Sequence, residues 1–408
     1  MEDSIDVAII GGGAAGFFAA ISCKTHNPKA NVTIYEKSDK LLAKVKVSGG
    51  GRCNVTHACF TVSQLVKFYP RGEKHLKKAF AYFNTNDTVK WFESRGVMLK
   101  TEEDNRMFPV TDNSQTIINC LMRETEKLGI AIELHETILV VEKEAERFKL
   151  TFREKVIHAD KIIIASGGSP KKEGFAWLEK LGHTIESPVP SLFTFNMPNE
   201  SIKSLMGVSV DNASVRVVGT KLKTEGPLLI THWGMSGPAI LKLSAWGATI
   251  LNDLNYSFKI QVNWLGALNE DEARNILGNE RTVHPKRKVV NSESFKLPNR
   301  LYLFLLEKLN INTDTTLEEL GKKNQNRLLN TLLNDEYTVE GKTTFKEEFV
   351  TCGGISLSNV SMDTMESKVC PCMYFAGEVL DIDGVTGGFN FQAAWTTGFI
   401  AGKLSYDK

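Results

Sequence analysis

The 408-residue chain is 42% hydrophobic and 24% charged, enough apolar material for a sizeable core and too long for one minimal domain, so two domains are expected. Its 49 Lys and Arg against 48 Asp and Glu leave a net charge of +1, which excludes a broad cationic field of the kind that concentrates nucleic acid. With no basic leader ahead of the apolar run at Ile5, no uncharged apolar stretch of roughly 18 residues and seven scattered cysteines, the chain reads as cytoplasmic, with reduced thiols.

Asp6-Val7-Ala8-Ile9-Ile10 predicts a short buried strand, Gly11 to Gly16 a glycine turn opening a helix rich in Phe and Ala, and Asn31 to Glu36 a second strand. From about 61 to 129 the pattern turns helical, best over 74–83, 88–94 and 114–128. Between 130 and 166 it turns to strands, ending in Lys161-Ile162-Ile163-Ile164-Ala165-Ser166-Gly167-Gly168. Pro188, Pro190 and Pro198 open a different segment, β-rich over 208–218 and 256–264 and then helical and polar after 268. Tyr374 to Glu378 restores a strand running into glycine, and Phe391 to Leu404 predicts a closing helix. The expected organisation is a discontinuous nucleotide-binding domain, residues 1–190 and 346–408, interrupted by an insertion at 191–345 that is β-rich over 191–267 and helical over 268–345.

Gly11-x-Gly13-x-x-Gly16 stands directly after a strand and opens a helix, as a dinucleotide fingerprint must. The first glycine permits the tight turn, the second lets a pyrophosphate approach the backbone, and the third lets helix and strand pack closely. Glu36 follows Gly16 by twenty residues at the end of the second strand, placed to hold ribose hydroxyls, with Lys37 beside it. This unit serves FAD and NAD equally, because both carry an ADP half. Ser48-Gly49-Gly50-Gly51-Arg52-Cys53-Asn54 is a second cluster, whose backbone amides form an anion nest with Arg52 as fixed positive charge. The third runs from Tyr374 to Ala394: a strand ends at Glu378, a glycine-rich loop follows, and a helix begins near Asn390. An acid at a strand end suits a polyol chain, and a helix N-terminus suits a ring that becomes anionic on two-electron reduction. A flavin has both and a nicotinamide neither, so FAD is the expected cofactor.

The segments Val7 to Gly16, Ser48 to Asn54, Ile164 to Gly168, Gly226 to Leu241, Gly353-Gly354-Ile355, Thr364 to Lys368 and Tyr374 to Ala393 resemble those of the BaiN-like or aminoacetone-oxidase-like bacterial NAD(P)/FAD-dependent oxidoreductases. The resemblance implies an α/β, glutathione-reductase-type (Rossmann-like) FAD-binding domain interrupted by an insertion domain with a β-barrel-like part and a helical part that covers the flavin. It implies Gly11, Gly13, Ala14, Ala15 and Gly16 on the pyrophosphate, Glu36 on the ribose, and Ser48 to Asn54 near pyrophosphate and flavin. It further implies a backbone contact to adenine at Val140 or Val141, and Ala165, Ser166, Gly167 and Gly168 beside the cofactor. Gly377, Glu378, Asp383, Gly388, Phe389, Asn390, Gln392 and Ala393 would line the ribityl and isoalloxazine. Glu378 stands where the wider superfamily has Asp, so the ribityl acid is one of Glu378, Asp381 and Asp383. Family activities imply a hydride passed between a small organic substrate and FAD, which is reoxidised by oxygen, as in amine oxidation, or charged by NAD(P)H, as in enone reduction.

Other chemistry is disfavoured. Ala165 to Pro170 lacks a second GxGxxG, so NAD(P)H would visit without a dedicated domain. Cys370-Pro371-Cys372 has the wrong spacing for a CxxC pair and too few partners for a metal. Cys53 reads as a buried packing residue before a redox thiol, and His232 as a turn histidine before an acid or base. The competing class is a flavin-fold protein that binds or modifies RNA without metabolite redox activity, marked by a basic, aromatic-studded surface. The clearest basic run, His284-Pro285-Lys286-Arg287-Lys288, has no aromatic besides its histidine, so neither nucleic acid nor membrane is expected as a partner.

Overall fold

In the computed structural model, which describes residues 4–343 and 350–404, the apolar run Asp6–Ile10 forms strand β1, Ala14–His26 helix α1 and Asn31–Tyr35 strand β2. Strand β1 pairs in parallel with β2 on one side and with Lys161–Ile164 on the other. Met373–Phe375 extends the sheet beyond Lys161–Ile164, and Ala131–Glu133 extends it beyond β2. A parallel sheet covered on both faces needs near-continuous apolar strands, and Ile9, Ile34, Ile162 to Ile164 and Tyr374 are all wholly buried. The chain leaves β1 in one direction and returns on its other side, so β1 and Lys161–Ile164 bound the crevice where ligands of such sheets bind.

Helix α1 packs on the closing helix, Phe389–Lys403. Their backbones nearly touch: a Cβ on Gly398 would lie 2.7 Å from the Ala15 carbonyl oxygen, and one on Gly402 2.3 Å from that of Ala19. A three-stranded ribbon, Val140–Glu144, Arg147–Thr151 and Val156–Ala159, and an antiparallel pair, Ile185–Ser191 with Val350–Ile355, belong to the same unit.

The described residues divide into two compact units, 4–191 with 350–404 and 192–343. The expected return boundary at 345/346 lies outside the described residues. In the second unit a seven-stranded antiparallel sheet runs from Asp335–Glu340 at one edge to Lys342–Thr343 at the other. Those two edge strands are consecutive around Gly341, so the sheet curls until its ends share a corner, as a barrel-like element requires. Helices Glu270–Val283, Asn299–Lys308 and Gly321–Asn334 complete a core that includes Phe195, Val215, Ile260, Trp264, Leu305 and Leu332.

Four expectations are corrected. The part expected to be helical over 268–345 ends in strands, Asp335–Glu340 and Lys342–Thr343, which pair at the two edges of the antiparallel sheet. The region 61–129 is not uniformly helical: Leu99–Thr101 and Arg106–Pro109 form a hairpin, with Asn105 left-handed at φ 64° in its turn, and Thr56–His57 adds to it. The helix expected at 88–94 is Thr85–Glu93, because Asn84 and Asp87 form a capping box that starts it earlier. The helix expected over 74–83 ends at Ala79, loosening into turns before that cap.

Candidate cofactor site

The glycines after β1 divide by what explains them. Gly11 has φ 116°, and a Cβ there would sit 2.3 Å from the Ala165 carbonyl oxygen; on Gly16 it would sit 1.9 Å from that of Gly11. The protein itself requires both. Gly13 has an ordinary φ of −92°, and its Cβ would meet no atom within 4 Å. Its bare side opens onto the N-terminus of α1, a 13-residue helix with no side-chain cap. Unclaimed amides of Ala14 and Ala15 and a missing side chain together make an anion cradle. Glu36 is anchored at the end of β2: one carboxylate oxygen accepts the Gly12 N–H at 2.8 Å, the other the Ser38 N–H and hydroxyl at 2.9 Å. Lys37 is exposed beyond it. Val140 opens its ribbon strand, exposed, over a buried Val141.

The second cluster abandons helical geometry at Ser48 (ψ 147°), and Gly49, Gly50 and Gly51 follow with φ of 58°, 68° and 84°. Three successive left-handed residues are cheap only for glycine. The loop closes by the Cys53 N–H donating to the Ser48 carbonyl at 2.9 Å, and Gly50 and Gly51 face open space. Arg52 departs from its expected role. Its guanidinium donates to Glu102 at 2.5 Å and lies 4.0 Å over the Phe108 ring, so anion capacity in this loop rests on amides. Cys53 is fully buried, and burial pushes its thiol up to about 12, which makes it a packing residue.

In the third cluster, Glu378 follows the strand Met373–Phe375. It accepts the Thr351 N–H at 2.9 Å and the Lys44 ammonium at 2.5 Å. Asp383 does otherwise: it is wholly buried, both its oxygens accept from Arg71, and Ser191 donates to it at 2.6 Å. Its carboxylate is thereby committed within the protein, which corrects its reading as a ribityl ligand. Asp381 accepts the Gly353 N–H at 3.1 Å. Asn390 clasps both backbone groups of Gly384, and the Gln392 amide is taken up by Thr56 and Thr396. These amides shape the loop, and the helix that begins at Phe389 offers first-turn backbone N–H groups without a side-chain cap. Phe389 is buried against Phe68 and His57, and Ala393 is buried on the helix.

Direct contacts bring these clusters to one edge. Leu42 N–H donates to the Gly12 carbonyl, Lys44 reaches Glu378, and the Asn54 amide, oriented to satisfy its neighbours, joins Thr56 to the Gly388 N–H. A Cβ on Gly168 would stand 3.0 Å from Glu378, while Gly167, at φ 76°, faces open space; Ala165 is buried and Ser166 exposed. The edge thus offers two helix N-termini, two turns of bare glycine and an acid at each of two strand ends. That donor set fits a dinucleotide with a polyol-linked ring. His232 sits exposed in the hairpin turn between Lys223–Ile230 and Gly234–Ser236. Among the described residues no group of three or more His, Cys, Asp or Glu is placed to hold a metal, and no helix is long and apolar enough to cross a membrane. Sequence reasoning missed Lys44 and Thr351 as partners of Glu378, and Arg71 as the partner of Asp383; no local pattern marks them.

Residues 5–404 match the family model described as HI0933-like protein Rossmann domain. The chain is 26% identical to a 3-dehydro-bile acid delta(4,6)-reductase of Clostridium scindens, over 98% of this chain and 99% of that protein. It is 29% identical to a ribosomal RNA dihydrouridine synthase of Escherichia coli K12, over 97% of this chain and 96% of that protein. Among solved structures it is similar in fold to the 3-ketosteroid delta1-dehydrogenase of Sterolibacterium denitrificans, at TM-score 0.52 and 10% identity over 98% of both chains. E. coli quinol fumarate reductase gives TM-score 0.51 at 13% identity over 98% of this chain and 69% of that one.

Proposed function

Because the chain belongs to the HI0933-like Rossmann family, we propose that this FAD-dependent oxidoreductase saturates a carbon–carbon double bond conjugated to a carbonyl in a small organic molecule. The observation that carries the reading is the convergence of bare glycines, two uncapped helix N-termini, Glu36 and Glu378 on the carboxyl edge of the parallel sheet. The amides of Gly13 to Gly16 would hold the pyrophosphate, Glu36 the ribose and Glu378 the ribityl chain. The Ser48 to Asn54 and Ala165 to Gly168 turns would flank them. The start of the closing helix would face the ring edge that gains negative charge on two-electron reduction. Bound FAD would supply the hydride, with NAD(P)H as the transient source of electrons.

The names of the two relatives support reduction over amine oxidation: one is a reductase, and the other makes dihydrouridine, a product with a saturated ring bond next to a carbonyl. The second name also favours a second reading, in which the double bond belongs to a uracil in RNA. The small-molecule reading is preferred because the charge is balanced and two of the three Lys and Arg side chains of the 284–288 run are paired, Arg287 with Glu280 at 2.8 Å and Lys288 with Asp314 at 2.6 Å. The test is an anaerobic visible spectrum of the purified protein before and after NADH or NADPH, followed by 2-cyclohexenone, uridine-containing ribosomal RNA or aminoacetone. Bleaching by a nicotinamide and recovery with the enone is expected. Recovery with RNA alone selects the second reading, bleaching by aminoacetone selects amine oxidation, and absence of flavin removes the proposal.

A further inference from the structure

A cavity of about 640 Å³ opens within the second unit, and none of the residues assigned above to the cofactor lines it. Its volume falls in the range of small-ligand sites, about 300–1,000 Å³. Three segments wall it: 209–212 at the start of strand Ser209–Val217, 264–268 after strand Ser257–Asn263, and 295–299 at the entry to helix Asn299–Lys308. Each departs from regular structure and is held in that departure. The register between Ser209–Val217 and Lys223–Ile230 slips between Val210 and Ala213, a bulge that takes Asp211 and Asn212 out of the ladder. Asn263 clasps the turn that follows it, accepting the Leu265 N–H at 2.9 Å and donating to the Leu268 carbonyl at 3.0 Å. Gly266, at φ 68°, is bare where a Cβ would lie 2.6 Å from the Asn212 amide nitrogen, so turn and bulge close on each other. Trp264, 1% exposed, has its indole N–H held by Asp335 at 3.0 Å. Lys296 is left-handed at φ 46°, a conformation that costs an L residue free energy.

The lining carries two chemistries. Leu265, Phe295 and Leu297 line the cavity half-buried against the core of the unit. Asp211, Asn212 and Lys296 line it exposed, and among the described residues none of their side chains has a hydrogen bond or an ion pair. Asp211 and Lys296, of opposite charge in one cavity, are not joined to each other, whereas on the same unit Lys223 pairs with Glu225 at 3.4 Å and Lys259 with Glu336 at 2.6 Å. Apolar walls with one unpaired cation and one unpaired carboxylate are complementary to a zwitterion with an apolar body. A neutral apolar molecule leaves both charges unused, and a simple anion is repelled by Asp211. We infer that this cavity binds a free α-amino acid with a large apolar side chain, its carboxylate on Lys296, its ammonium on Asp211 and its side chain on the apolar lining. The site stands whether or not the reduction proposed above is correct.

Calorimetric titration of the whole purified protein with L-tryptophan and L-leucine tests the inference. Saturable binding at a single site is expected. N-acetyl-L-tryptophan, which lacks the ammonium, and tryptamine, which lacks the carboxylate, should each bind about tenfold more weakly than L-tryptophan. Lys296→Met should weaken L-tryptophan about tenfold and leave tryptamine unchanged; Asp211→Asn should weaken it as much and leave N-acetyl-L-tryptophan unchanged. That crossed pattern distinguishes recognition of the two charges from damage to the fold, which would weaken every ligand alike. Absence of heat from both amino acids at millimolar concentration overturns the inference. So does L-tryptophan binding that both substitutions leave intact, or tryptamine and N-acetyl-L-tryptophan binding as tightly as L-tryptophan.

Discussion

Gly13→Val separates what the first glycine turn does for the fold from what it does for the ligand. With φ −92°, ψ −172° and no atom within 4 Å of its Cβ position, a branched residue fits the apoprotein without strain. The restricted unfolded chain favours the variant by about 0.4–1 kcal/mol, and a poorer N-cap offsets much of that, so the apoprotein should keep its stability. The cost falls on the complex. Forcing a side chain into filled space costs about 1–3 kcal/mol, roughly 5- to 150-fold in Kd. With FAD at a thousand times the wild-type Kd, binding adds about 4.1 kcal/mol to wild type, whereas a hundredfold weaker variant gains about 1.4 kcal/mol. Denaturant unfolding followed by far-UV circular dichroism, with and without FAD, reads both quantities. Equal FAD-dependent stabilisation in the two proteins would refute the placement of the pyrophosphate at Gly13.

Gly16→Ala is the contrasting case: its Cβ would lie 1.9 Å from a backbone oxygen, so the urea midpoint should fall with or without FAD, by about 1–3 kcal/mol or more. Burial, with Asp383 and Glu186 adding to it against Arg71 and the Gly353 N–H, raises the Asp381 carboxyl from 3.8 to about 6. Its neutral form therefore contributes stability that is present below pH 3.8 and lost as pH rises through 6. Asp381→Asn should be the more stable protein at pH 7 by about 1–2 kcal/mol, allowing for partial exposure, with the gap closing in acid; a less stable variant at pH 7 counts against this. Asp335, 3% exposed, accepts from Trp264 at 3.0 Å, Lys308 at 2.6 Å and the Tyr337 hydroxyl. Asp335→Ala should cost about 2–4 kcal/mol, because Trp264 and Tyr337 lose a buried acceptor while the part-exposed Lys308 does not, seen as a lower urea midpoint. Iodoacetamide at pH 8 should label the partly exposed Cys59 and Cys372 in the native protein well before the buried Cys53; the reverse order, by peptide mass mapping, would restore a reactive thiolate.

Local pattern alone determined much of this protein. The apolar run before Gly11, the spacing to Gly16 and the acid at Glu36 specify a strand, a turn and a helix, because each rule acts within one element or its immediate flank. The strand-to-glycine run at Phe375 likewise announced a return to the parallel sheet. The hairpin of Leu99–Pro109 escaped notice because its strands are short and its turn rests on a left-handed Asn105 instead of a glycine. The roles of three acids in one loop were beyond sequence reasoning altogether. Glu378, Asp381 and Asp383 are chemically alike and lie within five residues of one another, and their neighbours come from Lys44, Gly353 and Arg71, as far as 334 residues away along the chain. Composition and periodicity decide which segments become strands and helices; only the packing of those elements decides which carboxylate is buried against a cation and which is left at the open edge of the sheet.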